Sequence, residues 1–149
     1  MNCSKLERII AMGILSSLLA ACAGDRPDNL GARNGLLALC PTSPNCVSSQ
    51  EKDARHSIAP FPFSEDPGAA MIRLKKLLAG RKDAKIIEEA DSYLRVEFRT
   101  TFFVDDGEFL LDRESNVIHM RSASRIGYSD LGKNRSRLEE IRRDFEKVG

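Results

Sequence analysis

The positions of the prolines constrain the fold of this chain more than any other sequence feature. All six prolines precede Gly68, and the rest of the chain has none. Because proline lacks a backbone N–H and has a fixed φ, it is excluded from helix interiors and from central strands. We therefore expect the regular helices and strands in the second half of the chain, and an irregular, Pro-rich wrap over residues 40–66.

Two helices are predicted. The first begins at Asp66, a typical N-cap, with Pro67 at the first helical position and Gly80 placed to end it. The second begins near Asn134. Apolar residues recur at helical spacing in both: Ala70, Met71, Leu74, Leu77 and Leu78 in the first, and Leu138, Ile141, Phe145 and Val148 in the second. Each helix therefore has one apolar face that packs on a core.

Four β-strands are predicted between the helices. Residues 93–99 alternate apolar and polar side chains, and Asp91 and Ser92 supply the turn that joins them to a strand over residues 85–90. A second hairpin turns at residues 113–116. These elements predict an α+β fold: a four-stranded antiparallel β-meander with two helices packed on one face, preceded by the Pro-rich wrap.

The second hairpin has a register that its apolar residues select. If Asp112 pairs with Val117, the apolar side chains all fall on one face, as a half-covered sheet requires. This register pairs Phe109 with Met120 and Leu111 with Ile118 on that face, and Glu108 with Arg121 and Leu110 with His119 on the other.

The N-terminus resembles a bacterial lipoprotein signal. Lys5 and Arg8 precede an apolar run over residues 9–19, and Leu-Ala-Ala leads into Cys22. The run has the length of a signal h-region and is too short to span a bilayer. The resemblance implies that residues 1–21 are removed as a signal peptide and that Cys22 is lipidated. An ordinary signal peptide with a chance cysteine is the alternative.

The resemblance also implies a location in the bacterial cell envelope. Ala23 and Gly24, rather than an aspartate, follow Cys22, which favours the outer membrane, facing the periplasm, over the inner membrane. Turn-forming and charged residues without periodicity predict a flexible, lipidated linker over residues 22–39. Residues 40–149 then form a single α+β domain.

The charge of the mature chain argues against nucleic acid as a partner. Removing residues 1–21 takes away Lys5, Arg8 and Glu7, which leaves equal numbers of basic and acidic residues. A nucleic-acid-binding domain is typically basic. The export signal argues independently in the same direction.

Cys40 and Cys46 are the two thiols left after acylation, and the compartment implied by the signal is oxidising. We expect a structural disulfide. Two buried free thiols are an alternative, while a metal site would need further ligands, and His56 and His119 show no ligand spacing. The two-residue spacing of dithiol-exchange motifs is absent.

Four blocks of sequence carry a family resemblance. They are Cys40-Pro-Thr-Ser-Pro-Asn-Cys-Val-Ser-Ser49, His56-Ser-Ile-Ala-Pro60, Phe103-Val-Asp-Asp-Gly-Glu-Phe109 and Arg121-Ser-Ala-Ser-Arg-Ile-Gly-Tyr-Ser-Asp-Leu-Gly-Lys-Asn-Arg135. Together they are similar to the family known as domain of unknown function 1499, although Gly107 and Lys133 stand where valine is usual. The resemblance implies membership and no activity.

The block over residues 121–135 is the strongest candidate for a binding site. It gathers cations and hydroxyls ahead of a helix N-terminus, which suits phosphate, an anionic lipid headgroup or a partner protein. The candidate residues are Arg121, Ser122, Ser124, Arg125, Tyr128, Lys133 and Arg135. The competing interpretation is structural: Arg121 pairs with Glu108, Arg125 pairs with Asp105 or Asp106, and Asp130 or Asn134 caps the helix.

The sequence predicts neither a catalytic set nor a cofactor. The candidate bases are His56 and His119, and no Gly-x-Ser-x-Gly elbow accompanies them. The leading hypothesis is a non-enzymatic envelope lipoprotein that binds a partner protein or an anionic envelope component through its outward sheet face and the 121–135 block. The alternative is a small envelope hydrolase or transferase with His56 or His119 as general base. A histidine within about 3 Å of a serine hydroxyl or carboxylate in a concave pocket would favour it.

Overall fold

The computed structural model describes residues 24–148. The predicted signal peptide and Cys22 lie outside the described residues. The helices and strands are β1 (Cys46–Ser48), β2 (Phe61–Pro62), α1 (Pro67–Ala79), β3 (Ala84–Ala90), β4 (Tyr93–Arg99), β5 (Val104–Asp112), β6 (Val117–Ser124) and α2 (Lys133–Lys147). The α+β class is confirmed.

The sheet is antiparallel and larger than predicted. Its order is β1-β6-β5-β4-β3, and β2 also pairs with β6. The predicted meander forms β3 to β6, with β3 at one edge of the sheet. The Pro-rich wrap is not wholly irregular, since it contributes β1 and β2. β2 contains Pro62 and follows Pro60, and both strands pair only with β6, at the edge of the sheet, where a missing N–H is tolerated.

The predicted register of the second hairpin is confirmed. Asp112 pairs with Val117, and the apolar pairs Phe109–Met120 and Leu111–Ile118 follow from it, as do the pairs Glu108–Arg121 and Leu110–His119 on the other face. A shift by one residue would have turned every apolar side chain of β6 away from the core. The apolar pattern alone was therefore enough to fix the pairing.

The helix boundaries also agree with the sequence. The Asp66 carboxylate accepts hydrogen bonds from the N–H groups of Gly68 and Ala69, and α1 ends at Gly80. The second helix begins one residue earlier than predicted. Its first turn is held by Asp130, whose carboxylate accepts the N–H of Asn134 at 2.7 Å.

The hydrophobic core lies between the helices and one face of the sheet, called here the inner face. The ring of Phe61 from β2 stacks on Phe145 of α2 at 5.6 Å and lies 6.0 Å from Phe109 of β5. The ring of Phe98 packs over Gly107, where an added Cβ would lie 2.3 Å from the ring. A side chain at position 107 would therefore have to displace the Phe98 ring.

Candidate functional site

The outer face of the sheet, opposite the helices, carries a buried carboxylate at its centre. Glu108 is fully buried and accepts hydrogen bonds from Arg121 Nη1 at 3.1 Å and from the Tyr93 hydroxyl at 2.8 Å. Burial, together with the neighbouring charge of Glu108, raises the pKa of Tyr93. The Arg121 side chain therefore forms an ion pair with Glu108, as the structural interpretation predicts.

A second ion-pair cluster lies nearer the end of the outer face. Arg125 donates to both oxygens of Asp106, at 2.8 and 2.9 Å, and to Glu97 at 2.6 Å. The hydrogen bonds to Asp106 raise the pKa of Arg125 against the opposing effect of burial. Burial would raise the pKa of Glu97, but hydrogen bonds from Arg125 and Arg99 outweigh it and lower that pKa. Each charge in this cluster already has a partner.

The N-terminal segment, residues 24–37, lies against this outer face. The Gly31 N–H donates to Glu108 at 2.8 Å, and Leu37 packs in a small buried cluster with Tyr93 and Leu110. Gly24 lies beside the loop that follows β6, because an added Cβ at Gly24 would lie 2.6 Å from Ile126. The segment has no long strands, but it covers much of the face predicted to bind a partner.

The hydroxyls of the candidate block join β6 to α2. Ser122 donates to Asn134 Oδ1 at 2.5 Å, and Asn134 Nδ2 donates to Ser124 Oγ at 3.0 Å. Arg135 donates to the backbone carbonyls of Ser57 and Arg55, at 2.7 and 2.9 Å. These three candidate residues hold the second helix and the wrap in place.

The seven candidate residues therefore divide into two groups. Arg121, Ser122, Ser124, Arg125 and Arg135 make the internal contacts given above. Tyr128 and Lys133 face solvent, and 74% of Tyr128 is exposed. The structure does not bring all seven side chains together around one ligand position.

Two loops lie side by side at one end of the sheet, and we call them the loop end: residues 100–103 between β4 and β5, and residues 125–132 between β6 and α2. They border a cleft of about 230 Å³ that Phe103, Ile126, Leu131 and Lys133 help to line. Phe103 and Leu131 are absent from the predicted site. Their apolar character, within segments that have neither helical nor strand periodicity, is the signal that could have identified them.

The Cys40–Cys46 disulfide is present, with an S–S distance of 2.05 Å and a Cα–Cα distance of 5.6 Å. It closes the turn that leads into β1. Within residues 24–148, no group of three or more His, Cys, Asp or Glu side chains is arranged to hold a metal ion. In the same part of the chain, neither helix has the length and apolar content needed to cross a bilayer.

His56 and His119 both form hydrogen bonds. His56 contacts the Asp53 carboxylate at 3.0 Å and the Ser43 carbonyl at 3.2 Å, which ties together two parts of the wrap. The hydrogen bond from His56 lowers the pKa of Asp53. His119 Nδ1 lies 3.0 Å from the Ser49 hydroxyl.

The surroundings of His119 contain the three residue types of a hydrolase triad. Its Nε2 lies 3.7 Å from Asp112 Oδ2, and Ser49 is on its other side. However, Ser49 Oγ also accepts the N–H of Met120 at 2.9 Å, and the Ser49 N–H donates to the Met120 carbonyl. Four clefts formed by the described residues include neither histidine in their linings. Ser49 and His119 thus connect β1 to β6.

Comparison with known proteins gives one match. The model of a family described as protein of unknown function (DUF1499) matches residues 36–145, which include the disulfide, the whole sheet and most of α2. No curated protein and no solved structure matches the chain.

Proposed function

The chain belongs to the DUF1499 family, and we propose that it is a non-enzymatic lipoprotein of the bacterial cell envelope. In this proposal Cys22 carries the lipid anchor, and the loop end is the surface that contacts an envelope partner. Ala23 and Gly24 after the anchor favour the outer membrane, facing the periplasm. The described residues supply the binding module.

The observation that carries this proposal is the division among the candidate residues. Five of them hold the fold together, whereas Tyr128 of the loop end and Lys133 directly after it remain exposed, and Gly24 lies beside Ile126 of the same loop. A partner that meets the anchored protein therefore finds unengaged aromatic, apolar and basic side chains there. The Cys40–Cys46 disulfide supports an oxidising compartment.

Acylation of Cys22 is tested by comparing the full chain with the Cys22→Ala variant in a bacterial host. The mature wild-type protein should carry the mass of a diacylglycerol and an N-acyl chain and should sediment with membranes, because several acyl chains together anchor stably. The variant should lack this mass. A wild-type mass that shows no lipid, or a variant that sediments as fully as the wild type, contradicts the proposal.

A hydrolase is the second candidate function, and the contact between Ser49 and His119 at 3.0 Å favours it. In such an enzyme His119 would accept the Ser49 proton while Asp112 stabilised the charged ring. The test is covalent labelling by a fluorophosphonate probe. Labelling of the wild type that is lost in Ser49→Ala establishes a reactive serine, whereas equal absence of labelling in both removes this candidate.

A further inference from the structure

We infer that the loop end lies on the lipid surface to which the chain is anchored, with its apolar side chains in the interfacial region of the bilayer. This inference rests on the proposed acylation of Cys22 and names the partner of the loop end as the membrane itself. Three features support it.

The first feature is the concentration of exposed apolar side chains. Of ten large hydrophobic residues that are exposed in the described chain, five lie in the two short loops of the loop end. They are Phe102, Phe103, Ile126, Tyr128 and Leu131. Leu131 is 90% exposed and Phe102 is 68% exposed. Clustered exposed apolar residues mark surfaces that are covered in the working state of a protein.

The second feature is the position of the chain near the anchor. Gly24 packs against the side chain of Ile126 and the Cβ of Arg125. Only Ala23 separates Gly24 from Cys22. Since consecutive Cα atoms are about 3.8 Å apart, a link of two residues reaches at most about 7.6 Å. Acyl chains on Cys22 therefore enter the bilayer close to the loop end.

The third feature is the chemistry of the loop end compared with the opposite end of the sheet. Tyr128 combines an apolar ring with a polar tip, and Lys133 has a long apolar stem beneath its charge, so both suit the boundary between lipid and water. At the opposite end, the turn between β5 and β6 consists of Arg-Glu-Ser-Asn over residues 113–116. Apolar and aromatic side chains are thus gathered at the end next to the anchor.

The chain has no tryptophan, so a single introduced tryptophan reports on its own surroundings. Tyr128→Trp places the reporter at the loop end. Ile72→Trp is the matched control, because Ile72 is 69% exposed and borders a groove that also includes Arg113 of the opposite turn. The acylated full chain is placed in phosphatidylethanolamine and phosphatidylglycerol vesicles containing bromine-labelled lipids, which quench tryptophan in the bilayer.

We expect the reporter at position 128 to shift to shorter wavelength and to be quenched several-fold more strongly than the reporter at position 72. A second loop-end reporter, Phe102→Trp, should behave like the first. Circular dichroism checks that each variant is folded. If the loop-end reporters are quenched no more than the control, the inference is wrong.

The mass of the protein and its sedimentation with vesicles show whether the inference alone fails or the proposed function fails with it. An acylated protein that sediments with vesicles but whose loop-end reporters stay unquenched overturns the inference and leaves the lipoprotein proposal standing. A protein without the lipid mass overturns both. Reporters that remain unquenched in vesicles leave the loop end free for a protein partner, and this also overturns the inference.

Discussion

Glu108 and Phe109 are neighbours on β5 and both are fully buried, yet the two faces of the sheet bury them by different means. Phe109 lies on the inner face, among apolar side chains that the helices bring. Glu108 lies on the outer face, where Arg121, Tyr93 and the Gly31 N–H surround it. Apolar contact stabilises the inner face, whereas pairing on the outer face mainly offsets the cost of removing charges from water.

This difference bears on function as well as stability. A sheet with one charged face and one apolar face usually leaves the charged face in water, available to a ligand. Here the chain's own N-terminal segment covers that face, with Gly31 bonded to Glu108 and Leu37 packed on Tyr93. The candidate contact surface is therefore the loop end.

The largest loss of unfolding free energy is expected for a substitution on the inner face. Phe109→Ala should lower the free energy of unfolding by about 4 kcal/mol, because it removes a buried ring and leaves a cavity. Leu110→Ala, one residue away on the outer face, should cost about 2 kcal/mol because its apolar cluster is small. Urea unfolding followed by circular dichroism measures both. If the two variants lost the same free energy of unfolding, the two faces would not differ as described.

The next prediction concerns the ion pair between Glu108 and Arg121 on the outer face. Glu108→Gln should cost about 3 kcal/mol, because it leaves the buried guanidinium of Arg121 without a charged partner. Adding Arg121→Met to this variant should recover part of the loss, since both charges are then gone. Urea unfolding of the two single variants and the double variant gives the coupling. If the loss of unfolding free energy in the double variant equalled the sum of the losses in the two single variants, the two residues would act independently.

The disulfide should contribute less than Phe109 or the Glu108–Arg121 pair. Replacing both cysteines, as Cys40→Ser with Cys46→Ser, should lower the free energy of unfolding by about 2 kcal/mol, because the closed loop is short. Reduction of the wild-type protein should give a similar loss in the same urea measurement, and the double variant should not respond to reductant. A double variant as stable as the wild type would contradict this role.

The smallest effect is a pH dependence from Glu97. The pKa of this carboxyl in the folded protein lies below its ordinary value of 4.5. Its contribution to stability is therefore complete above pH 4.5 and is lost as the pH falls through the lower folded-state pKa. Glu97→Gln should be less stable than the wild type at neutral pH, and the difference should shrink in acid. Urea unfolding across this pH range measures it, and a constant difference would contradict it.

Most inner-face positions could be predicted from the sequence, because residues close together in the chain determine them. Alternation in β4 and the single apolar register of the β5–β6 hairpin predict which side chains face the helices. The outer-face pair Glu108–Arg121 follows from the same register, whereas the sequence leaves Asp105 and Asp106 both open as partners of Arg125, and the structure pairs it with Asp106. The helix that begins at Asp66 is equally local, since cap, proline and apolar stripe lie within one segment.

The covering of the outer face was not predictable in the same way. Gly31 lies 77 residues from Glu108 in the chain, and its segment has no periodicity that would indicate a partner. β1 and β2 were missed for a related reason, because three- and two-residue strands are too short for alternation to show. The loop end could not be identified from the sequence alone, because its two loops are separate in the chain and only the pairing of β5 with β6 brings them together.

The central claim is that the N-terminal segment packs on the outer face through Gly31 and Leu37 and so leaves the loop end as the candidate contact surface. Amide hydrogen exchange at Gly31, measured by NMR on the isotope-labelled full chain, tests it most directly. The hydrogen bond to Glu108 predicts that this amide exchanges more slowly than in an unstructured peptide of the same sequence and that Glu108→Ala abolishes the protection. Exchange of Gly31 at the unstructured rate, while the amides of β5 and β6 remain protected, would contradict the account.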